Sequence, residues 1–272
     1  MSDSVYVVAD DVAQPTELAR GPWDPNAQHG GAPAALMATL IERLAAPQSV
    51  FRLTVEFLRP IPLKPLTTGV TGSSGRAAGR WAASLAANGR EVARAQALSC
   101  RTSPLDIVVP LHAAAERLPP PTVDKPLRIP GMPEQRSFYY TAMEARLAAG
   151  SVTAPGPAAG WFRLRYPLIA GEEPTPLVRA VAAADFASGI SWVLPFGRYR
   201  YVNADLTVYL RRMPIGEWIG VDAVTTIDAP GVGVTATRLF DRDGPVGGAH
   251  QTLIVSNADT ETAGSRSAAR ET

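Results

Sequence analysis

The sequence predicts an α+β fold made of two tandem units, each a long central helix wrapped by an antiparallel sheet. The first observation is an internal repeat: residues 53–59 read Leu-Thr-Val-Glu-Phe-Leu-Arg and residues 206–212 read Leu-Thr-Val-Tyr-Leu-Arg-Arg. The two segments agree at four of seven positions and lie 153 residues apart, a spacing the size of a small domain. The second observation is an apolar, helix-forming stretch in each half. The third is a set of strand-like runs after each stretch.

Length and composition fit two ordinary globular domains. The 272 residues are 46% hydrophobic, which is enough for a sizeable core in each unit. The formal net charge of +1 gives no field that would attract nucleic acid or an anionic membrane. Cys100 is the only cysteine, and the sequence shows neither a signal peptide nor a run of about 18 apolar residues. We therefore expect a cytoplasmic protein with no nucleic-acid or membrane partner.

The first unit begins with a weakly alternating segment at residues 4–20, which predicts an opening pair of strands. His29-Gly30-Gly31-Ala32-Pro33 then leads into residues 34–44, which are rich in helix formers and apolar nearly all round. We predict a buried helix here, with Pro33 in its first turn, where a missing N–H costs nothing. Four strands follow, at about 50–59, 65–73, 79–87 and 91–101. Asn88-Gly89 predicts a two-residue hairpin turn, because both positions favour positive φ.

Residues 104–135 interrupt this pattern. Three consecutive prolines at 119–121 stand among several others, which indicates a connector rather than a regular element. We expect the connector to lie across the surface, with a short helix near residues 112–117. The predicted units are therefore 1–103 and 136–256. A small, polar tail at 257–272 is expected to be disordered.

The second unit repeats the order of elements of the first. Two strands are predicted near 136–148 and 160–168, and residues 172–188 predict a helix with prolines at its start. Four more strands are predicted at about 201–212, 217–228, 232–241 and 246–256. Asp243-Gly244 closes the last hairpin, and Gln251 follows it at the distance at which Gln96 follows Asn88-Gly89.

A buried apolar helix followed by an antiparallel meander has a simple packing solution. The sheet curls around the helix and buries it, and two such units join their sheets side by side. This arrangement is the hot-dog fold, and the repeat predicts it twice in one chain, as a double hot-dog.

Three polar residues of the second unit are candidates for catalysis. Asp185 lies among small apolar residues of the predicted helix, so its carboxylate either reaches solvent at the helix end or lines a pocket. Asn203 lies near the start of the strand after the helix, and Gln251 lies in mid-strand, where a half-buried amide needs partners. Together, one carboxylate and two amides form a set that could hold one water molecule and remove its proton.

Other common catalytic motifs are missing from the sequence. It contains no Gly-x-Ser-x-Gly segment and no phosphate-binding Gly-x-x-x-x-Gly-Lys segment. Residues 231–236 resemble a dinucleotide fingerprint in letters only, because they lie between two predicted strands. The three histidines and Cys100 lack the spacing of metal ligands, so we expect no metal site.

The sequence resembles the acyl-CoA thioesterase II group and its actinobacterial thioesterase-like relatives, which have a double hot-dog fold. The resemblance covers nearly the whole chain except the connector and the tail. It rests on five features: His29-Gly30-Gly31, Val55-Glu56-Phe57-Leu58-Arg59-Pro60, Ala184-Asp185-Phe186, Asp205-Leu206-Thr207-Val208-Tyr209-Leu210-Arg211-Arg212, and the Asp243-Gly244 hairpin with Gln251.

The resemblance implies a thioester hydrolase of lipid metabolism whose active site comprises Asp185, Asn203 and Gln251. Thioesterase II proper has a threonine at the position of Asn203, and an amide likewise donates and accepts. In this mechanism Asp185 acts as a general base on a water held by the two amides, and the substrate is a fatty or other acyl-CoA with no further cofactor. Because the first half keeps only Gln96 of the trio, we predict that it serves as scaffold and pocket wall.

His29, Gly30, Gly31 and Thr207 are predicted to contact the substrate. The two glycines precede a helix. Either their N–H groups face a thioester oxyanion, or their lack of a side chain simply allows close packing. Two alternatives stay open: a non-catalytic acyl-thioester-binding or accessory biosynthetic protein, and an enoyl-CoA hydratase. The site of the hydratases of this fold resembles an aspartate followed five residues later by a histidine. In this chain Ile190 stands at that distance from Asp185. Further association of the chain with itself is also left open.

Overall fold

The computed structural model describes residues 3–103, 105–106, 117–122, 126–129 and 131–257. Residues 112–116 of the predicted connector helix, and the predicted tail beyond Asn257, lie outside these residues. The described residues form one large antiparallel sheet that packs around apolar helices. This is the α+β double hot-dog that the sequence predicts.

The first unit has the predicted order of elements. A strand pair opens it, a buried helix follows, and four strands form a meander. Their bounds are β1 Tyr6–Ala9, β2 Val12–Pro15, α1 Gly31–Ala45, β3 Ser49–Phe57, β4 Leu66–Ser74, β5 Ala78–Ala87 and β6 Arg90–Cys100. Asn88 and Gly89 have φ of 51° and 74°, so the predicted hairpin turn is confirmed.

The second unit repeats this order, with two elements broken that the sequence predicts as continuous. Its elements are β7 Met143–Ala149, β8 Ala158–Leu164, α2 Pro176–Ala184, α3 Ala187–Ile190, β9 Tyr199–Asn203, β10 Asp205–Leu210, β11 Ile219–Asp228, β12 Val232–Asp241 and β13 Gly244–Asn257. The predicted strand at 201–212 is interrupted at Ala204, which donates to Thr252 O and accepts from Phe57 N. The predicted helix at 172–188 starts later, because Thr175 caps α2 by accepting from Val178 N, and it breaks at Asp185.

The described strands form one sheet whose order mirrors itself about its centre. That order is β1-β2-β4-β5-β6-β3-β10-β13-β12-β11-β8-β7, with β9 paired to β13. Each strand of the first unit therefore has a counterpart at the same distance on the other side. The two copies of the repeated segment, β3 and β10, form the central pair, where Thr54 lies directly opposite Thr207. The internal repeat thus marks a pseudo-twofold axis.

The core lies between this sheet and the helices. Ten of the fifteen residues of α1 are buried, which agrees with its predicted all-round apolar character. The carboxylate of Glu42 near the end of α1 accepts from Thr175 Oγ1 at the start of α2 (2.5 Å), whereas Gly31 at the start of α1 lies against Ala182. The two helices are therefore antiparallel. None of the described helices combines the length and the apolar character needed to span a bilayer.

The expectation that the whole connector crosses the surface is wrong for its described end. Leu127 is fully buried and donates through its N–H to Ala145 O, and Ile129 packs beside Gly189 of α3. The apolar character of these two residues explains the difference, because burial of a leucine or isoleucine side chain stabilises the fold by about 1.5–3 kcal/mol. The proline content hid this short apolar segment.

The sequence-based pairing of Gln96 with Gln251 is also wrong, by one residue. Gln96 lies opposite Thr54, whereas the residue opposite Thr207 is His250. The second turn is made by residues 242–243 and not by Asp243-Gly244, since Gly244 already begins β13. A shift of one residue moves a side chain to the other face of a sheet, so Gln96 is exposed and Gln251 is buried.

Candidate active site

The candidate site is built around Asp185, which lies in the break between α2 and α3. It ends α2 as the C-cap residue, and the residue is only 5% exposed. The three alanines before it are fully buried, so the backbone here lies deep against the sheet and the start of α1. A charge at such a depth requires hydrogen-bond partners.

The partners of Asp185 are the two amides that the sequence predicts. Asn203 Nδ2 donates to its Oδ1 over 2.9 Å, and Gln251 Nε2 donates to the same oxygen over 3.1 Å. The structure thus brings the predicted trio together from a helix end and two adjacent strands, β9 and β13. Both amides donate to the carboxylate itself, so they orient it and stabilise its negative charge.

Ser188 fixes the orientation of both amides, and sequence reasoning missed it. Its backbone N–H donates to Gln251 Oε1 (3.3 Å), and its hydroxyl donates to Asn203 Oδ1 (3.2 Å). With each amide oxygen occupied, each amide nitrogen turns towards Asp185. Its position three residues after Asp185, on the same side of a helical turn, was the available signal.

His29, predicted as a substrate contact, lies against the other oxygen of Asp185. Its Nδ1 is 3.0 Å from Asp185 Oδ2, and the N–H of Gly31 donates to the same nitrogen over 3.1 Å. One face of the imidazole stacks on Phe186, with the ring centroids 4.5 Å apart. The two residues of this contact come from different halves of the chain.

Gly30 and Gly31 allow the start of α1 to approach the end of α2. A Cβ on Gly30 would lie 2.9 Å from Asp185 Oδ2, and one on Gly31 would lie 2.9 Å from Ala182 O. Close packing therefore requires both glycines. The N–H of Gly31 is directed at His29, while the N–H of Gly30 has no hydrogen-bond partner among the described residues.

Aromatic rings form an apolar wall beside this polar centre. Phe138 lies 5.3 Å from the imidazole of His29, and Phe162 lies 4.8 Å from Phe186 between ring centroids. Tyr139 extends the cluster, and burial raises the pKa of its hydroxyl although that hydroxyl accepts a hydrogen bond from Ile129 N. These buried rings exclude bulk water from this side of the polar centre.

Thr207 is the one predicted site residue that the structure places elsewhere. Its neighbours Leu206 and Val208 point into the core, so its own side chain points to the outer face of the sheet. There its hydroxyl donates to Thr54 Oγ1 over 3.2 Å, on the pseudo-twofold axis. The residue belongs to the junction of the two units.

A cavity of about 230 Å³ lies at the other ends of α1 and α2 and does not include Asp185. Glu42 lines it, and burial raises the pKa of that carboxyl in spite of the hydrogen bond from Thr175. We place the site at Asp185, because two amides and an imidazole converge there, whereas one hydroxyl reaches Glu42. No cluster of potential metal ligands occurs within the described part of the chain.

Comparison with protein families gives two matches that together cover most of the chain. Residues 115–255 match the acyl-CoA thioesterase C-terminal domain, and residues 19–100 match the acyl-CoA thioesterase N-terminal domain. The search of curated proteins gave no match.

Solved structures with the same fold share low sequence identity with this chain. A proposed thioesterase from Novosphingobium aromaticivorans is 21% identical, with a TM-score of 0.70 over 92% of this chain and 98% of its own. A hot-dog protein from Alicyclobacillus acidocaldarius is 17% identical, with a TM-score of 0.70 over 90% and 92%. An acyl-CoA thioesterase II from Mycobacterium marinum is 17% identical, with a TM-score of 0.63 over 89% and 96%. These likenesses establish the double hot-dog fold.

Proposed function

Because this chain belongs to the acyl-CoA thioesterase family and is a thioester hydrolase, we propose that it cleaves acyl-CoA with water activated at Asp185. The products are the free acid and CoA. The observation that carries the proposal is the buried carboxylate of Asp185, which two oriented amides and one imidazole contact.

The surroundings of Asp185 suit this role on two counts. The two amide donors on Oδ1 and the imidazole beside Oδ2 hold the carboxylate of Asp185 in one orientation. The aromatic rings of Phe138, Phe162 and Phe186 are buried around this centre and exclude bulk water from it.

The reaction needs only water as co-substrate. The water oxygen forms a bond to the thioester carbonyl carbon while its proton passes to the site, and the carbon–sulfur bond then breaks to release CoA as the thiol. Negative charge develops on the carbonyl oxygen, and the N–H groups of Gly30 and Gly31, which lie beside Asp185 at the start of α1, are the backbone donors that we assign to it. No metal or covalent cofactor enters these steps.

Replacement of Asp185 by asparagine tests the proposal. The amide keeps the shape of the side chain and removes the charge, so we expect kcat for thiol release to fall about 10²–10⁴-fold with little change in thermal stability. Thiol release is measured over a panel from acetyl-CoA to palmitoyl-CoA. The matched control is Asp243→Asn, an exposed residue of the last hairpin, which should retain full activity. Undiminished turnover in the Asp185 variant contradicts the proposal.

Two other activities are tested with the same protein. A binding protein of this fold would retain acyl-CoA in a filtration assay and release no thiol. A hydratase would consume crotonyl-CoA without releasing thiol; the structure brings His29 to Asp185 from the other half, so the lack of a histidine at Ile190 does not exclude it. Membership of the thioesterase family favours hydrolysis.

A further inference from the structure

The contact between His29 and Asp185 adds a second ionisable group to the site, and its role rests on the proposed function. The two side chains come from residues 156 positions apart and meet across the junction of α1 and α2. The side chain of His29 is 11% exposed and that of Asp185 is 3% exposed. The imidazole is therefore the more accessible of the two groups.

Two groups compete for Nδ1 of His29. Asp185 Oδ2 lies 3.0 Å away and accepts hydrogen bonds, whereas the N–H of Gly31 lies 3.1 Å away and donates them. A lone pair on Nδ1 would repel an ionised carboxylate at this distance, so Nδ1 carries the proton when Asp185 is charged. In that state the N–H of Gly31 loses its acceptor and becomes free for a ligand oxygen.

The other ring nitrogen is left as a base. When Nδ1 holds the proton of a neutral imidazole, Nε2 presents a lone pair. Nε2 makes no hydrogen bond to any residue that the structure describes. Phe186 stacks on the ring and Phe138 lies beside it, so the direction of this lone pair is fixed by packing.

We propose that His29 is a catalytic residue of the hydrolysis, with Nε2 as the atom that takes the proton from the attacking water. The O–H bond of the water breaks, its proton goes to Nε2, and its oxygen bonds to the carbonyl carbon. The carbon–sulfur bond then breaks, and the departing sulfur receives that proton from Nε2. Asp185 acts through Nδ1: it orients the ring and stabilises the imidazolium that forms between the two steps.

The pair of His29 and Asp185, which we call the dyad, places catalytic residues in both halves of the chain. The sequence predicts a working site in the second half and a scaffold in the first. With His29 at the start of α1 and Asp185 at the end of α2, each half supplies one member. Asn203 and Gln251 donate to the carboxylate of Asp185, and Ser188 orients both amides. The carboxylate in turn orients the imidazole.

Single and double variants separate this dyad from a carboxylate that acts alone. We expect His29→Gln to lower kcat/KM for the fastest acyl-CoA of the panel by about 10²–10⁴-fold. The double variant with Asp185→Asn should lose little more than the poorer single variant, because the two groups act as one unit. His250→Gln is the matched control: it lies next to Gln251 on the outer face and should retain full activity.

Rescue by small bases separates catalysis from packing. Free imidazole should raise the turnover of His29→Ala by at least about tenfold. Pyrazole, which has nearly the same size and is a much weaker base, should not raise it. Equal rescue by the two compounds would assign His29 a packing role and overturn the proposal.

The remaining outcomes are also distinct. A His29→Gln enzyme with nearly full turnover beside an inactive Asp185→Asn enzyme would overturn the dyad and leave the proposed function intact. Full turnover in Asp185→Asn would contradict the proposed function itself.

Discussion

Ser188 shows how one residue sets the chemistry of others without contacting the reacting atoms. An amide side chain has two nearly isosteric ends, and only its partners decide which end faces Asp185. Ser188 donates to both amide oxygens, so Asn203 and Gln251 each present N–H to the carboxylate. A carboxylate that faced amide oxygens instead would be repelled.

Replacement of Ser188 by alanine removes the hydroxyl bond to Asn203 and keeps the backbone bond to Gln251. We expect a fall in kcat of about tenfold, which corresponds to about 1.4 kcal/mol, the scale of one hydrogen bond to a group in a charged network. KM and the melting temperature should change little. Ser256→Ala, at an exposed position of β13, is the control for the same substitution. A variant that loses stability and not turnover would assign Ser188 to the fold alone.

At the scale of elements, the last hairpin depends on a buried carboxylate. Asp241 ends β12 and accepts from Arg212 Nη2 (2.7 Å), Ile215 N (2.8 Å) and Asp243 N (2.9 Å). Burial acts to raise the pKa of Asp241, but Arg212 and the two backbone donors outweigh it and lower the pKa. The carboxylate therefore joins the turn to the segment after β10.

Asp241→Asn should lower the free energy of unfolding by about 2 kcal/mol at pH 7, since it weakens a buried charged network. A lowered pKa stabilises the folded state above the ordinary carboxyl pKa of about 4, and this contribution is lost as the pH falls through the folded value. The difference between wild type and variant should therefore shrink below about pH 4. Urea unfolding at several pH values measures it. Asp222→Asn, whose pair with Arg238 lies at the surface, should change stability by under about 1 kcal/mol.

The elements themselves were largely predictable, because period-two alternation and an apolar helix are local signals. β3, β4, β5 and β6 begin and end within about two residues of the predicted positions. The error at Gln96 has a different origin: a matched dipeptide does not fix a turn, and one residue of register moves a side chain through the sheet. Local patterns predict where a strand lies, and only its pairing with a neighbouring strand decides which side chains point into the core.

The site was predictable in its second-half residues and not in its geometry. Asp185 and Gln251 are polar residues within apolar elements, Asn203 lies near the start of a strand, and these signals are local. The contact of His29 with Asp185 depends on how two distant helices pack, which no local pattern reports. The structure places Thr207 away from Asp185, although the sequence predicted a substrate contact. A repeated motif marks a structural axis as readily as a binding site.

At the scale of the whole molecule, the pseudo-twofold axis predicts that the two units unfold together. β3 and β10 pair across the axis, Leu53 lies opposite Val208, and both side chains are buried. The sheet is continuous from β1 to β7 through this pair, and the helices of the two units pack against each other. Loss of the central pair therefore removes contacts from both units at once.

Leu53→Ala tests this coupling. The cavity should cost about 2–5 kcal/mol, and one cooperative molecule loses that stability in both units. Hydrogen exchange of the slowest amides in β5 and β12, which lie at matching distances from the axis, should accelerate by the same factor. Leu58→Ala, at a partly exposed position, should leave the exchange rates in both β5 and β12 unchanged. Acceleration confined to β5 would mean that the two units unfold independently. The contact between His29 and Asp185 would then require both units to be folded and packed against each other.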